Sequence, residues 1–143
     1  YDTVIRCHNP ALGEFFFAVS SRQEVDTLGR EMTMTIAQVV EAFGKENCSK
    51  SVQEAFETGG AALTREIIVR HIIEPNTPAK YGVPKEMLWR EVYWEANTSE
   101  QCLRKKGFRE FPVLGVRWDV TANDAYGRSP GMDALGDIKQ LQQ

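Results

Sequence analysis

The sequence predicts an α+β fold, mainly antiparallel sheet with two short helices and a C-terminal amphipathic helix. Three observations support this class. Alternation of period two, clearest in Met87–Asn97, is typical of strands in an antiparallel sheet. Capping-box patterns begin two short helical stretches, and apolar residues repeat every three positions near the C-terminus.

Length and composition are those of one ordinary globular domain, or of two small lobes that share a core. The chain has 143 residues, of which 42% are hydrophobic and 26% charged, and its formal net charge is −3. This mixture excludes a disordered chain, and no apolar window is long enough to span a membrane. The 17 Lys and Arg against 20 Asp and Glu argue against a dedicated nucleic-acid reader, which is normally basic.

The first third of the chain predicts three strands. Thr3–His8 is rich in β-branched residues and is ended by Asn9-Pro10. Glu14–Ser20 holds three consecutive phenylalanines, a density that predicts a strand buried on both faces. Glu24–Met34 follows a polar turn and predicts the return strand of a hairpin, with Gly29 as a candidate bulge.

Two short helices are predicted next. Thr35 and Gln38 form a capping box at the start of the first helix, and Gly44 stands where a glycine would end it. The second helix is predicted over Ser51–Glu57, whose first residue pairs with Glu54 as another capping box.

The middle of the chain returns to strands. Thr64–Glu74 is rich in Ile and Val, and the Pro75–Pro84 stretch after it predicts an exposed loop and a possible lobe boundary near 75–85. Beyond the alternating strand at Met87–Asn97, Cys102–Phe111 suggests a further hairpin and Pro112–Val120 a final strand.

The C-terminal helix has a strong start and no stop. Ser129 as N-cap and Pro130 at the first helical position predict that it begins there. Because no capping residue ends it, and because the chain begins without Met, we expect the sequence to be a piece of a longer protein. Residues 1–126 then form the body, and residues 127–143 begin a longer helix.

No catalytic set, metal site or cofactor site is expected. The cysteines Cys7, Cys48 and Cys102 are far apart and odd in number, which is typical of free buried thiols in a reducing compartment. No metal-ligand spacing, nucleophile motif or phosphate-binding loop occurs. Glu91 and Glu95 are predicted to lie on a solvent-exposed strand face and not to form a catalytic pair. The basic run 104–106 is predicted to lie at a solvent-exposed hairpin tip and not to bind nucleic acid.

A run of motifs in the last third resembles a known family. Phe111-Pro112, Arg117-Trp118, Tyr126–Pro130 and Leu135–Leu141 follow one another in the order found in head-to-tail connector (portal) proteins of short-tailed double-stranded-DNA bacteriophages and related prophages. The residues that match the motifs, and are therefore the candidate site residues, are Arg117, Trp118, Tyr126, Gly127, Arg128, Ser129, Pro130 and Asp137.

The resemblance implies a structural virion protein and not an enzyme. Such proteins form a ring, usually of twelve copies, at the portal vertex of the capsid, after assembly in the host cytoplasm. DNA passes through the ring without sequence-specific contacts during packaging and ejection. The implied partners are other copies of the chain, the terminase, tail or adaptor proteins, and scaffold and capsid proteins. Residues 1–126 would be a wing-like body and residues 127–143 the start of a stem-type helix, with 87–120 belonging to the wing or to the clip.

The sequence leaves two other hypotheses about function open. One is a standalone α+β binding module whose sheet presents Trp89 and Trp94 to a ligand. The other is a small intracellular enzyme that uses His8 or His71 in an unrecognised site. For Arg128, a packing role is favoured, through a carboxylate such as Asp124 or Asp133 or through a neighbouring subunit, over contact with DNA.

Overall fold

The fold is one five-stranded antiparallel sheet with two helices on one face, followed by a long irregular segment and two short C-terminal helices. The computed structural model describes residues 7–11, 13–76, 82–98, 101–121 and 124–142. The strands lie in chain order, β1-β2-β3-β4-β5, which confirms the predicted α+β class. The elements are β1 (Phe15–Val19), β2 (Val25–Thr35), α1 (Ile36–Phe43), α2 (Lys50–Thr58), β3 (Glu66–Pro75), β4 (Trp89–Glu95), β5 (Cys102–Phe108), α3 (Pro130–Asp133) and α4 (Leu135–Leu141).

The predicted hairpin of β1 and β2 is present, but its details differ from expectation. The bulge lies at Ala18 and Val19, and Gly29 pairs regularly with Phe16, so the bulge predicted at Gly29 is wrong. Gly29 instead allows the Phe16 ring to lie against the backbone of β2, because a Cβ at Gly29 would lie 1.9 Å from that ring. Phe16 is 51% exposed, so the prediction of a strand buried on both faces is also wrong. The reason is that the helices cover only one face of the sheet, and Phe16 points to the other face.

The first helix begins as predicted, and the N-cap of the second lies two residues before the predicted one. The Thr35 hydroxyl accepts from the Gln38 N–H, and the Gln38 side chain accepts from the Thr35 N–H at 2.9 Å. In α2 the N-cap is Ser49, not Ser51, and its hydroxyl accepts from the Val52 N–H. The predicted Ser51 cap is wrong because Ser49 is also held by a buried carboxylate from β4.

The hydrophobic core lies between the two helices and one end of the sheet. Apolar side chains of α1 and α2 pack on side chains of β3, β4 and β5, all of them less than a tenth exposed. The cluster consists of Ile36, Val39, Cys48, Val52, Val69, Tyr93 and Leu103.

The chain after β4 departs most from prediction. The hairpin predicted over Cys102–Phe111 is wrong, because β5 runs straight through Gly107. That glycine makes room for a neighbour, since a Cβ would lie 2.5 Å from Met87 Cγ. The final strand predicted over Pro112–Val120 is also wrong. The segment is extended, and its one β-bridge in the described part of the chain joins Asp119 to residue 128.

The predicted C-terminal helix is interrupted. Ala134 separates α3 from α4, and nearly all of the side chains of both helices are exposed. Gly131 and Gly136 flank the interruption, and glycine weakens a helix that gains nothing from packing. No helix in the described ranges is long and apolar enough to cross a bilayer.

The loop between β3 and β4 is closed by one side chain. The Asn76 carboxamide donates to the carbonyls of Pro84 and Met87, at 3.1 and 2.9 Å. The two strands on either side of this loop pair directly in the sheet. The division of the chain into residues 1–126 and 127–143 stays a prediction.

The two candidate caps of α2 can be separated by mutation. We expect Ser49→Ala to lower the free energy of unfolding by about 1–3 kcal/mol, because it removes the N-cap and a hydrogen bond to a buried carboxylate. The control Ser51→Ala, at an exposed position, removes only the 3.2 Å contact with the Ser49 hydroxyl and should cost less than about 1 kcal/mol. Urea unfolding followed by circular dichroism measures both. Equal effects of the two substitutions would contradict the assignment of Ser49.

Candidate functional site

The motif residues join the irregular C-terminal segment to the first hairpin. The Arg117 guanidinium donates to the backbone carbonyl of Gln23, in the turn between β1 and β2, and at 3.4 Å to that of Asp124. Upstream, Gly115 lies against Val25, where a Cβ would meet the Val25 side chain at 3.0 Å. Arg117 therefore anchors two stretches of chain that the sequence places far apart.

Tyr126 covers the outer edge of β1. Its hydroxyl accepts a hydrogen bond from the Phe17 N–H at 3.1 Å, and the two rings are stacked with their centroids 6.2 Å apart. An edge strand carries unpaired backbone groups that invite association with other chains. Tyr126 satisfies one of these groups from within the same chain.

Gly127 allows two motif segments to pass each other at backbone distance. A Cβ on Gly127 would lie 2.8 Å from the backbone nitrogen of Trp118, and real Cβ atoms essentially never come so close. The Arg128 N–H donates to the Asp119 carbonyl at 2.6 Å across this crossing. The motif thus requires glycine here because of close backbone contact, and not because of a turn.

The structure brings together five of the eight candidate residues and not the other three. Arg117, Trp118 and 126–128 meet beside the first hairpin. Ser129 is the N-cap residue of α3, although its side chain makes no capping bond, and Pro130 is the first residue of that helix. Asp137 is exposed in the first turn of α4. A functional role for the eight residues stays a prediction.

An apolar row lies exposed on the irregular segment. Alternate residues Leu114, Val116 and Trp118 are 93%, 89% and 80% exposed, while the residues between them face the protein. Soluble single domains seldom expose such a contiguous row, which is typical of a contact surface. By contrast, Trp89 of the alternative ligand surface is half-buried and packs against Phe111, with ring centroids 5.9 Å apart.

Sequence reasoning missed a row of side chains that crosses all five strands. The registers place one residue of each strand side by side on the helix-bearing face of the sheet. The His71 and Tyr93 rings stack with centroids 4.0 Å apart, and the Arg104 guanidinium lies 4.5 Å from the centre of the Tyr93 ring. In sheet order, the row is Phe15, Arg30, His71, Tyr93 and Arg104.

The basic run is therefore not a hairpin tip. Arg104 lies within β5, half-buried over the rings of Tyr93 and Phe43, where a guanidinium gains from cation–π attraction. The prediction of a solvated turn for residues 104–106 is wrong because the chain continues as a strand.

Hydrogen bonds fix the proton of His71. Arg30 Nε always carries hydrogen, so the bond of 2.9 Å to His71 Nδ1 makes that nitrogen the acceptor. The ring proton then lies on Nε2 and is donated to Glu91 Oε1, 3.0 Å away. The Tyr93 hydroxyl donates to the same carboxylate oxygen at 3.1 Å.

Burial sets the charge states of this group. Desolvation lowers the pKa of His71 below its ordinary value, and the hydrogen bond to Glu91 only partly opposes this. For Glu91, burial alone would raise the pKa, but hydrogen bonds from His71 and Tyr93 outweigh it and hold the pKa low. The result is a neutral imidazole beside an ionised carboxylate.

The solvated face predicted for Glu91 and Glu95 is wrong. They are 7% and 5% exposed. Glu95 accepts from the Ser49 N–H at 2.8 Å and from the Ser49 hydroxyl at 2.6 Å, so it holds the start of α2. The available signal was that both glutamates share a strand face with Trp89 and Tyr93, and aromatic residues on that face indicate burial.

The thiol of Cys48 is not activated as a nucleophile. Burial first, and then the nearby Glu95 and Glu46, raise the pKa of the Cys48 thiol to about 11, so it stays protonated at neutral pH. Cys7 is exposed, against the expectation of a buried thiol, and Cys102 is half-buried. No group of three potential metal ligands occurs among the residues that the structure describes.

Comparison with known proteins identifies the family. The family model described as "Bacteriophage head to tail connecting protein" matches residues 1–143. The chain belongs to this family. It is also 41% identical over 146 residues to the "Probable portal protein" of Bordetella phage BPP-1, which covers 99% of the chain and 26% of that protein. It is 41% identical over 143 residues to the "Portal protein" of Salmonella phage epsilon15, with 97% and 25% covered.

The connector chain thus spans about a quarter of the length of these curated relatives. The family match confirms the resemblance inferred from the motifs between Phe111 and Leu141. In this chain, the motif residues Arg117, Tyr126 and Gly127 pack the irregular C-terminal segment against the first hairpin. Their contacts are structural.

Replacing the motif glycine should test this packing role. We expect Gly127→Ala to lower the free energy of unfolding by about 1–3 kcal/mol, because the added methyl group meets backbone that cannot move aside cheaply. In the control Gly136→Ala, the new Cβ meets nothing within 4 Å, and stability should rise by up to about 1 kcal/mol. Chemical denaturation of both variants gives the comparison. A neutral Gly127→Ala would show that the crossing is not close-packed.

The neutral state of His71 predicts destabilisation by mild acid. The unfolded chain takes up the proton near pH 6.5, whereas the folded chain does so only at lower pH. Stability is therefore complete above about pH 6.5 and falls as the pH decreases, by at most about 1.4 kcal/mol per pH unit for one proton.

Urea midpoints between pH 7.5 and 5.5 measure this slope. His71→Gln should flatten it, since glutamine can bond to Arg30 and Glu91 without titrating. His8→Gln, at an exposed position, should leave the slope as in wild type. A slope that survives His71→Gln would assign the acid sensitivity to another group.

Proposed function

We propose that this chain is a structural segment of a phage portal ring, through which double-stranded DNA is packaged and ejected. The observation that carries the proposal is the 41% identity to two portal proteins across 97% or more of the chain. Membership of the connector family over residues 1–143 supports it.

The chemistry of the described residues agrees with a structural role. Both nitrogens of His71 and both carboxylate oxygens of Glu95 are engaged in internal hydrogen bonds. The thiol of Cys48 is protonated and buried. These groups are buried and bonded to other parts of the same chain, as side chains that hold a fold together are. We therefore assign the chain no catalytic reaction.

The proposed partners follow from this role. They are other copies of the full-length protein, the terminase that drives packaging, tail or adaptor proteins, and scaffold and capsid proteins. The proposed location is the portal vertex of the virion, reached after assembly in the host cytoplasm. Residues 1–126 would form the wing-like body, and 127–143 would begin the stem-type helix.

The net charge supports passage of DNA without tight binding. The chain has no excess of Lys and Arg over Asp and Glu, 17 against 20, and tight binding of DNA needs many contacts between basic side chains and phosphates. A channel that holds DNA weakly lets it slide in both directions. Arg128 is exposed and forms no ion pair among the described residues. We assign it to contact with a neighbouring subunit and not to contact with DNA.

The mass of the full-length parent protein tests the proposal. We expect light scattering at high concentration to give a ring of about a dozen subunits, because a portal must close around DNA. The same sample with the segment that corresponds to residues 1–143 deleted should fail to close. A full-length protein that stays monomeric at high concentration would contradict the proposal.

A further inference from the structure

Residues 112–118 form an extended stretch that belongs to no sheet. Their backbone N–H and C=O groups make no hydrogen bond with any residue that the structure describes. A bridge forms only beyond the stretch, where the Asp119 carbonyl accepts from the Arg128 N–H. Native proteins leave few such groups unbonded where the chain packs against other parts of the molecule. The stretch therefore has the conformation of a β-strand and lacks a neighbouring strand.

The inward side of the stretch is held in place. Val113 is half-buried, and Gly115 lies so close to Val25 that a Cβ on the glycine would meet that side chain at 3.0 Å. The Arg117 guanidinium donates to the carbonyl of Gln23 in the turn between β1 and β2. Contacts of alternate residues thus keep the backbone extended, so that a further strand can pair with it without rearrangement.

The outward side of the stretch is apolar. Leu114, Val116 and Trp118 point away from the body and are at least 80% exposed. Proteins usually protect an exposed edge with a charged side chain, and none of these three carries a charge. An edge that combines unbonded backbone with apolar side chains pairs with other chains and aggregates unless a strand covers it. Both features predict a further strand beside this stretch.

We propose that the stretch 112–118 receives a β-strand from the part of the full-length protein that lies outside these 143 residues. The added strand pairs with the backbone of the stretch and places apolar side chains beside Leu114, Val116 and Trp118. The chain spans about a quarter of its curated relatives, and a full-length protein of that size has the length to supply such a strand.

Tethering favours a strand of the same polypeptide over one from a neighbouring copy. A segment of the same polypeptide is present at an effective concentration on the order of millimolar, so it covers the stretch as soon as the subunit folds. A neighbouring copy covers the stretch only after assembly, and until then each subunit exposes an edge that aggregates. The pairing is therefore a property of the single subunit, and it does not rest on the portal ring.

Hydrogen exchange of the full-length protein tests the pairing, at a concentration too low for assembly. Because alternate residues of a strand point to the same neighbour, we expect every second amide between Val113 and Trp118 to be protected. These amides should exchange at least roughly tenfold more slowly than in an unfolded chain. Fast exchange of all of them would overturn the proposal. Protection that appears only in assembled protein would also overturn it, because a neighbouring copy would then be the partner.

Crosslinking identifies the partner strand. In the full-length protein, the photoreactive residue benzoylphenylalanine replaces Val116, and mass spectrometry reads the crosslinked peptides. We expect a crosslink to an apolar segment of the same polypeptide outside the 143 residues. A crosslink within the 143 residues, or one that joins isotope-labelled to unlabelled copies, would contradict the proposal. The same replacement at Glu54, on the exposed face of α2, is the control and should not give this crosslink.

A charge on the outward side should separate the two strands. In Val116→Asp, a carboxylate lies beside the apolar side chains of the added strand, so we expect the protected amides between Val113 and Trp118 to exchange roughly tenfold faster. The control Val116→Ile keeps an apolar β-branched side chain and should exchange as wild type does. Amides of β3 in the same molecules show whether the body stays folded. Protection of the stretch that survives Val116→Asp would show that no apolar strand lies there.

The proposed function and this pairing fail separately. The decisive measurements are made on dissociated subunits, so a full-length protein that forms no ring would contradict the portal role and leave the pairing standing. Unprotected amides in residues 112–118 would instead remove the added strand while the ring stands.

Discussion

The sheet depends on one buried polar contact, the hydrogen bonds that join Arg30, His71 and Glu91 across three strands. A purely apolar sheet face tolerates a register shift of two residues, because one aliphatic side chain then replaces another on the same face. The same shift here would take the guanidinium, the imidazole and the carboxylate away from their hydrogen-bond partners. Separated charges in a buried site cost several kcal/mol, so these hydrogen bonds specify one alignment of β2, β3 and β4.

The C-terminal motif closes the half of this face that the helices leave open. The segment after β5 meets Trp89 at the start of β4 through Phe111, and it reaches the first hairpin at Arg117. Tyr126 then stacks on Phe17, whose ring lies 4.8 Å from that of Phe15. Phe15 is the first member of the row of side chains that crosses the five strands. The conspicuous motif residues and the buried row are thus parts of one packed face.

Local patterns predicted local features, and they failed where burial is decided by distant residues. The capping box at Thr35 was read correctly because its hydrogen bonds close within three residues. Glu91 and Glu95 were misassigned because their partners, His71 and Ser49, lie 20 and 46 residues away in sequence. The hairpin predicted over Cys102–Phe111 is wrong because glycine does not always indicate a turn, and Gly107 instead gives room to Met87. The row of side chains across five strands depends on how the strands align with one another. The periodicity of the sequence predicts the strands but not their alignment.

The described residues leave apolar side chains exposed, which is typical of a surface that another protein or another part of the same protein covers. The buried titratable groups are held in internal bonds, as His71 is by two of them, and so they resist a change of protonation near neutral pH. The exposed features are instead a row of alternating apolar side chains that ends at Trp118 and the apolar side of α4. Each of these gains free energy only when another surface covers it. The row is assigned above to a strand of the same polypeptide, and the apolar side of α4 agrees with the ring proposed above, in which neighbouring copies or other virion proteins would cover it.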